Sequence, residues 1–335
     1  MLSTAQRRRF HLTEGASPER QPGALHVAVL LGGVGFEREV SLVSGRAVLD
    51  ALTRRGHRVT PVVLDSSDEA ALDAIPRDAD VAFLALHGEY GEDGTIQSAL
   101  ARRGIAYTGS GPEASARAFD KLRAKRMFAR AGLPLAWQRV LEFPFEQRSV
   151  RHTVRMTESL PVVVKPARCG SSVGVTICRT RDQLRRALEE GARFRQDLLV
   201  EEFIPGHELT CGVLGDEALP PVEAIAQGGR FFDYRAKYDK TTGTQYVVDP
   251  GHLPVEVRAE LRRLALAAHQ ALGCSDFSRT DFRYDPQAGR IVLLETNTIP
   301  GLTPTSLLPM AAASVGISFD ELAERFCRLA LAAAV

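Results

Sequence analysis

Acidic and amide side chains cluster near the ends of two strands predicted in the C-terminal third of the chain. Asp281 lies in the first strand, over residues 279–284. Glu295 and Asn297 lie in and just after the second strand, over residues 291–296. Because residues two apart in an extended segment point to the same face, these side chains can converge. Mg²⁺ usually takes one or two carboxylates together with substrate phosphates, so the set predicts a divalent cation site. A polar cluster that caps turns at a sheet end is the alternative.

Two lysines stand where they can neutralise phosphate groups. Lys165 lies near the end of an apolar strand predicted over residues 161–166, and the following loop contains Gly170-Ser-Ser-Val-Gly174. The amides and hydroxyls of such a loop can surround a phosphate. Lys121 lies on a basic helix predicted over residues 113–131, where a solvated face is the simpler interpretation for that lysine alone. Lys165 and its loop therefore carry most of the prediction of a nucleotide site.

Several common nucleotide and metal motifs are absent from the sequence. There is no G-x-x-x-x-G-K-[ST] segment, which excludes a P-loop. Gly33-Val-Gly35 lacks the third glycine of the dinucleotide fingerprint, which argues against a nicotinamide site. No H-E-x-x-H segment or local His/Cys cluster supports zinc.

Alternating apolar runs and helical segments in the first third of the chain predict parallel strands covered by helices. The pattern predicts strands over residues 27–31, 59–64 and 81–86, and helices over residues 40–52 and 96–103. These elements form a small doubly wound α/β domain, which we expect over residues 25–112. Residues 1–24 precede this domain and read as a poorly ordered extension.

The rest of the chain mixes helices and strands in an α+β pattern, for which we expect two further domains over residues 113–205 and 206–335. Thr180-Arg-Asp-Gln183 resembles a capping box at the start of a helix. Helices are also predicted over residues 254–272 and 319–333. Residues 228–251 show no period and read as a long loop, and loops of that length are commonly functional.

Composition and charge narrow the class of protein. Of the 335 residues, 44% are hydrophobic and 25% are charged, which is ordinary for a soluble globular protein. A formal net charge of +1 gives no electrostatic footprint for nucleic acid. Five scattered cysteines without a C-x-x-C pair predict a reduced cytoplasmic protein. No apolar run approaches the roughly 20 residues that span a bilayer, so neither a membrane nor a nucleic acid is an expected partner.

Seven blocks in order resemble the D-alanine–D-alanine ligase family and cover nearly everything from residue 26 onward. They are residues 26–41 with Leu31-Gly-Gly33 and Glu37-Arg-Glu-Val-Ser41, Leu86-His-Gly88 with Gly91-Glu-Asp-Gly-Thr95, Tyr107-Thr-Gly-Ser-Gly111, Asp120-Lys121, Val164-Lys-Pro166 with Gly170-Ser-Ser-Val-Gly174, residues 234–238, and Glu295-Thr-Asn-Thr-Ile-Pro-Gly301. Any one block is weak evidence, but seven in order make a chance resemblance very improbable.

The resemblance implies that the α/β domain is followed by a two-domain ATP-grasp fold, whose domains clamp ATP between them. It implies a ligase that uses ATP with Mg²⁺ (or Mn²⁺) to join two D-alanine molecules through a D-alanyl phosphate intermediate, for peptidoglycan precursors. A cytoplasmic homodimer is expected. Such an enzyme must supply preorganised cations and exclude water from the intermediate.

The resemblance also implies roles for individual residues. Glu37 would hold the ammonium group of the first D-alanine, and His87 would lie near its carboxylate. Lys121 and Lys165 would contact the ATP phosphates. Glu201, Phe203 and Ile204 would line the adenine pocket, Glu208 would meet the ribose, and Asp281, Glu295 and Asn297 would bind Mg²⁺. Arg279 and the Gly301 amide would stabilise the transferred phosphoryl group and the tetrahedral intermediate, and Ser306 would meet the carboxylate of the second D-alanine. Ser171 and Tyr238 would join a hydrogen-bonded set that closes the long loop.

Two positions depart from the family pattern, and some alternatives stay open. Some relatives carry a charged residue at Cys169 and a lysine at Glu202. Tyr238 favours D-alanine as the second substrate, but D-alanine–D-lactate or D-alanine–D-serine ligation, or another carboxylate–amine pair, is an alternative. A catalytically inactive ATP-binding regulator would have lost a metal ligand or Arg279, and none is lost. For His87 alone, a buried core histidine is the simpler interpretation.

Overall fold

Three sheets, each from a separate stretch of the chain, organise the computed structural model, which describes residues 23–226 and 243–333. The first sheet is parallel, with strand order β2-β1-β3. Its strands are β1 (His26–Gly32), β2 (Arg58–Leu64) and β3 (Val81–Leu84). Every residue of β1 is buried, as expected for a central parallel strand covered on both faces.

The order of the first sheet places the loops that matter for function. The chain leaves β1 towards β2 and then returns across it to β3, so the sheet has a switch point between β1 and β3. Ligands of doubly wound sheets bind beside the carboxyl ends of strands at such a point. Glu37 follows β1, and His87 follows β3. Helices α1 (Arg38–Arg54) and α2 (Thr95–Arg102) agree with the predicted helices to within two residues at each end.

The predicted single helix over residues 113–131 is wrong, because the chain forms two helices there. They are α3 (Pro112–Phe119) and α4 (Lys121–Arg130). Asp120 lies between them with an extended backbone, and its carboxylate accepts hydrogen bonds from the Leu122 and Arg123 amides. This N-cap satisfies two amides that a new helix leaves free. The break makes Lys121 the first residue of α4, where it is buried rather than solvated.

The second sheet is antiparallel and has the order β4-β7-β5-β6. Its strands are β4 (Gln138–Leu141), β5 (Val162–Pro166), β6 (Thr176–Cys178) and β7 (Leu198–Glu202). Helices α5 (Gln147–Met156) and α6 (Arg181–Gly191) pack on this sheet. The predicted capping box at Thr180 and Gln183 is confirmed.

The third sheet has the order β11-β10-β8-β12-β13, with β9 paired to β8, and all of its pairs are antiparallel. Its strands are β8 (His207–Leu214), β9 (Glu217–Ala218), β10 (Val222–Ile225), β11 (Gln245–Val248), β12 (Phe277–Asp285) and β13 (Arg290–Asn297). Helix α7 (Val255–Leu272) covers it with an apolar face of buried leucine and alanine side chains, and Gly273 ends the helix at φ 73°.

The C-terminal helices connect the third sheet to the first. Helix α8 (Leu307–Ser314) packs against β8 and β11, and α9 (Phe319–Ala333) packs against α1 and β3. The Phe326 ring lies 6.2 Å from that of Phe83 in β3 and 3.9 Å from that of Phe277 in β12, between ring centroids. One apolar core therefore joins the first and last parts of the chain.

The predicted loop over residues 228–251 is partly wrong, because β11 lies within it and pairs with β10. Residues 227–242, with Tyr238, lie outside the described residues, as do residues 1–22 of the predicted N-terminal extension. None of the helices in the described ranges is long and apolar enough to cross a membrane.

Candidate active site

A cleft of about 780 Å³, partly open to solvent, lies between the second and third sheets. Eight of the residues predicted for the site line the cleft: Lys121, Lys165, Glu201, Phe203, Ile204, Glu208, Asp281 and Glu295. The structure thus brings the predicted phosphate-binding and metal-binding residues together.

A buried ion triad lies at the inner wall of the cleft. Glu201 on β7 contacts Lys165 Nζ at 2.6 Å with one carboxylate oxygen and Lys125 Nζ at 2.8 Å with the other. The three side chains are at most 8% exposed. Burial by itself would raise the pKa of Glu201, but the two ammonium groups hold it at about 2. Burial lowers the pKa of Lys165 more than Glu201 raises it.

Lys121 links the loop after β5 to the acidic set on the third sheet. Its Nζ donates to the Cys169 carbonyl at 2.8 Å and lies 3.1 Å from Glu295 Oε2. Burial lowers the pKa of Lys121, but the combined effects of Glu295, Cys169 and Glu201 outweigh it, so the pKa rises above its ordinary value. Lys121 is therefore a fixed cation at the centre of the cleft.

The loop over residues 170–174 approaches the N-terminal domain. Ser171 and Ser172 have φ values of 51° and 58°, which is the left-handed region that non-glycine residues rarely adopt. Ser171 Oγ donates to the Glu37 carboxylate. A Cβ at Gly170 would lie 2.9 Å from Glu37 Oε2, so the absence of a side chain allows this approach. Burial raises the pKa of the neighbouring Cys169 thiol, so the thiol stays protonated near neutral pH.

The predicted metal-binding residues face one another across β12 and β13. Asp281 is the register partner of Glu295, and Arg279 is the partner of Asn297. The Arg279 guanidinium donates two bonds of 2.8 Å to Asp281, and Asn297 Nδ2 donates to the same carboxylate at 3.2 Å. A bulge interrupts the ladder directly after Asp281, and bulges near active sites redirect side chains.

This donor set fits a hard divalent cation. Two carboxylates and an amide oxygen lie on adjacent strands, and oxygen ligands of this kind suit Mg²⁺ and Mn²⁺. Asp281 and Glu295 also have cationic partners in Arg279 and Lys121.

The outer end of the cleft has an apolar wall and an acidic edge. Ile204 is 4% exposed, and Phe203 lies beside it on the same wall. Glu208 is ion-paired at 3.1 Å with Arg283, whose Nε also donates to the Ile204 carbonyl at 3.0 Å. Glu202 has Arg290 as its partner at 2.7 Å. This end of the cleft therefore offers both an apolar surface and charged groups to a bound molecule.

A smaller recess adjoins the cleft on the side of the first domain. Lys121, Cys169 and Glu295 line both cavities, and Glu92 and Asn297 line only the recess. Glu92 accepts a hydrogen bond from the Gly88 amide at 2.8 Å. Burial, together with the nearby Glu37 charge, raises the pKa of Glu92 to about 8. Glu92 is therefore mostly protonated at pH 7 and forms an acidic corner with Glu37.

His87 and Ser306 lie at the ends of loops that meet near this corner. His87 Nε2 is 3.1 Å from Ser44 Oγ on α1. Burial lowers the pKa of His87 to about 4 against the effect of its bond to the Ile299 backbone, so the ring is neutral at pH 7. Ser306 Oγ accepts from the Thr303 amide at 3.1 Å, and a Cβ at Gly301 would approach it to 2.9 Å.

The sequence predictions missed four residues of this arrangement. Lys125, Glu92, Arg283 and Ser44 were not predicted. A signal existed for Lys125, because it lies four residues after Lys121 and such residues share a helix face. Arg283 lies within a predicted strand, but its partner Glu208 is distant in sequence. Glu92 lies between predicted elements, and the Glu37 charge that acts on it is also distant in sequence. Tyr238, predicted to meet Ser171, lies outside the described residues.

Comparisons with known proteins agree with the sequence resemblance. Family models for the D-ala D-ala ligase N-terminus and C-terminus match residues 65–110 and 127–328. A D-alanine–D-alanine ligase of Gluconobacter oxydans is 47% identical over 310 residues, which are 92% of this chain and 100% of the relative. One of Acidiphilium cryptum is 47% identical over 296 residues, which are 88% of this chain and 95% of the relative.

Solved structures show the same similarity in three dimensions. The D-alanine–D-alanine ligase of Bacillus anthracis in complex with ATP superposes with a TM-score of 0.80 at 29% identity, over 93% of this chain and 99% of that one. The VanG D-Ala:D-Ser ligase of Enterococcus faecalis has a TM-score of 0.77 at 28% identity, over 92% of this chain and 99% of that one.

Proposed function

The chain belongs to the D-alanine–D-alanine ligase family, and we propose that the cleft and its adjoining recess form the active site in which ATP drives the joining of two D-alanine molecules. The fold is the predicted one, a doubly wound α/β domain followed by a two-domain ATP-grasp fold. The enzyme is an ATP-dependent ligase that forms a C–N bond and supplies the dipeptide for peptidoglycan synthesis.

In the first step, the carboxylate of one D-alanine attacks the γ-phosphorus of ATP, and the bond to ADP breaks. Lys121 and Lys165 are suitably buried to hold phosphate oxygens in a water-poor environment, where electrostatic attraction is strong. The Arg279 fork, which now pairs with Asp281, can bind the transferred group at two oxygens. Phe203 and Ile204 would contact the adenine, with the Glu201 backbone beside them, and Glu208 the ribose.

We assign Asp281, Glu295 and Asn297 as the residues that hold Mg²⁺, or Mn²⁺ in its place. The cation would neutralise phosphate charge as the phosphoryl group moves. Register pairing of Asp281 with Glu295 supports this assignment.

In the second step, the amine of the other D-alanine attacks the acyl phosphate, and phosphate leaves. Glu37, oriented by Ser171, would bind the ammonium group of the first D-alanine. Neutral His87 would donate or accept a hydrogen bond at its carboxylate without adding charge. The Gly301 amide would stabilise the tetrahedral oxyanion, and Ser306 would bind the second carboxylate.

One observation carries the proposal: Lys121 contacts both the phosphate loop at Cys169 and the acidic set at Glu295. Glu295→Gln should therefore abolish dipeptide formation while leaving the fold intact, because it removes a metal ligand and a partner of Lys121. Glu158→Gln, at an exposed glutamate, is the matched control. The measurement is D-alanyl-D-alanine formed and phosphate released across a range of Mg²⁺ concentrations, with circular dichroism for the fold. Near-normal turnover of Glu295→Gln at ordinary Mg²⁺ would refute the metal assignment.

The choice of second substrate needs its own comparison. Phosphate release with D-alanine alone, against D-alanine with D-lactate or D-serine, measures it directly. We expect D-alanine to be preferred, because relatives at 47% identity are D-alanine–D-alanine ligases and the D-Ala:D-Ser ligase is only 28% identical.

We also propose a cytoplasmic homodimer. All five cysteines are free, which suits a reducing compartment, and the family resemblance supports the dimer. Light scattering of the purified chain tests the oligomeric state, and a monomer at micromolar concentration would contradict it.

A further inference from the structure

Two histidines and a glutamate that are distant in sequence meet on the third sheet, outside the cleft. His207 starts β8, Glu223 lies on β10, and His252 lies in the turn between β11 and α7. His207 Nδ1 is 2.6 Å from Glu223 Oε1, and His252 Nε2 is 2.9 Å from Glu223 Oε2. One nitrogen or oxygen atom from each of the three residues lies within 4.8 Å of the others.

This cluster lies on the opposite face of β8 from the cleft. Successive strand residues point to opposite faces, and Glu208 lines the cleft while His207 precedes it in the strand. The cross-strand partners show the same division. Arg283 pairs with Glu208 on the cleft side, whereas the Tyr284 ring stacks on His207 at 6.0 Å. The cluster is therefore separate from the ligase site.

The charge of Glu223 needs compensation. Its side chain is 5% exposed, and an isolated buried carboxylate is costly. Within residues 23–226 and 243–333, its ion-pair partners are the two imidazoles and no lysine or arginine. A neutral imidazole carries no charge, whereas a divalent cation bound to neutral imidazoles supplies positive charge near neutral pH. The atoms that face one another are also those that can coordinate a metal.

The spacing of these atoms suits a transition-metal ion. Ligand nitrogen and oxygen atoms lie about 2.0–2.2 Å from Zn²⁺, which places neighbouring ligand atoms of a tetrahedral site roughly 3.4 Å apart. The observed separations of 2.6 and 2.9 Å therefore need to widen by about 0.5–0.8 Å. The His252 side chain is 50% exposed, so a hydrated ion can reach the site from solvent. Imidazole ligands select Zn²⁺, Ni²⁺ or Co²⁺ over Mg²⁺.

We propose that His207, Glu223 and His252 form a binding site for one divalent transition-metal ion. Zn²⁺ is the ion that suits the site best, and water molecules occupy its remaining coordination positions. The bound ion connects the turn before α7 to strands β8 and β10. By linkage, it stabilises the folded chain in proportion to its occupancy.

The test titrates the full-length, chelator-treated protein with Co²⁺ and records its d–d absorption. Zn²⁺ affinity is then measured by competition with a chromophoric chelator in millimolar Mg²⁺. We expect one Co²⁺ band per chain that Zn²⁺ displaces. His252→Ala and Glu223→Gln should each weaken Zn²⁺ binding at least tenfold, since even outer-shell changes at metal sites cost 10–100-fold.

Two controls separate this site from other metal-binding groups. His152→Ala removes an exposed histidine on α5 and should leave the band unchanged. Glu295→Gln removes a ligand of the proposed Mg²⁺ site and should also leave it unchanged. Zn²⁺ should raise the melting temperature of the parent protein but not that of His252→Ala. Absence of a stoichiometric Co²⁺ band, or equal Zn²⁺ affinity in the parent and His252→Ala, would overturn the proposal and leave the cluster as a hydrogen-bonded ion triad.

Discussion

Replacing Glu201 with glutamine tests whether the triad with Lys125 and Lys165 is as desolvated as the structure shows. The substitution keeps the size of the side chain and removes its charge. Two ammonium groups, each within 2.8 Å of the former carboxylate, would then be buried without an anion. Unpaired buried charge is strongly destabilising. We therefore expect a large loss of stability from a change of a few atoms.

The magnitude follows from the pKa of Glu201. A fall from 4.5 to about 2 on folding corresponds to about 3 kcal/mol at neutral pH. Breaking a buried ion pair typically costs about 3–5 kcal/mol, which agrees in size. Because folding lowers the pKa of this carboxylate, stability falls as the pH falls. The stabilisation is complete above pH 4.5 and is lost as the pH falls towards 2, and Glu201→Gln should lack this part of the acid sensitivity.

A single tryptophan makes the measurement local. Trp137 is the only tryptophan in the sequence, and its carbonyl accepts a hydrogen bond from the Glu202 amide at 3.0 Å, beside Glu201. Its fluorescence during urea unfolding at pH 7 reports on the second sheet. Glu202→Gln is the matched control, because its ion pair with Arg290 is 35–41% exposed. Exposed pairs of this kind contribute less than about 1 kcal/mol.

A second substitution distinguishes a charge effect from a packing effect. In the parent, Lys125→Met removes one partner of Glu201 and should destabilise by about 1–3 kcal/mol. In the Glu201→Gln background it removes an unpaired buried ammonium group, so it should be neutral or stabilising. A loss below about 1 kcal/mol for Glu201→Gln, or a Lys125→Met effect of the same sign and size in both backgrounds, would refute the reasoning.

Three further outcomes are expected. Arg279→Ala should lower kcat about 100-fold or more with a smaller change in the KM for ATP, since the Arg279 guanidinium acts on the reacting phosphoryl group. A raised KM with kcat preserved would instead place Arg279 in ground-state binding. Because burial holds the pKa of His87 at about 4, the folded chain binds fewer protons than the unfolded chain between pH 4 and 6.5. Stability should thus fall by about 3 kcal/mol as the pH drops through that window, and urea unfolding of His87→Gln should show a flatter profile. Gly88→Ala places a Cβ against Glu37 Oε2 and should raise the KM for D-alanine. The control is Gly104→Ala, which has a similar φ of 66° and open space around it, and which should leave that KM unchanged. Equal effects of the two substitutions on the KM would indicate backbone strain alone.

Local patterns in the sequence were sufficient to predict that the proposed metal ligands converge. Asp281, Glu295 and Asn297 lie on or beside predicted strands, and the two-residue spacing of Glu295 and Asn297 gives those two a shared face. The structure confirms that these strands are adjacent and in register. The loops after β1 and β3 were predictable for a similar reason, because each follows a short apolar run that ends in glycine or histidine.

Partners that are distant in sequence could not be predicted in this way. The His207–Glu223–His252 cluster depends on which strands neighbour one another in the third sheet, and a list of residue types does not give that order. The break at Asp120 was missed because helical spacing continues through it. The two helices are separated only at Asp120, whose backbone is extended so that its carboxylate can cap the second helix.

The lysines of α4 show why overall charge is a poor guide to a site. Lysine is almost never fully buried unless it is paired, so a basic helix in a chain of net charge +1 reads as a solvated face. Instead, both lysines are buried: Lys121 lines the cleft beside Glu295, and Lys125 pairs with Glu201, so their partners lie on strands of two different sheets. With Lys165, the group has three ammonium groups against two carboxylates. Glu202, Glu208 and Asp281 also line the cleft, so the positive charge is local to these lysines, and it exists only because the fold brings these separate segments together.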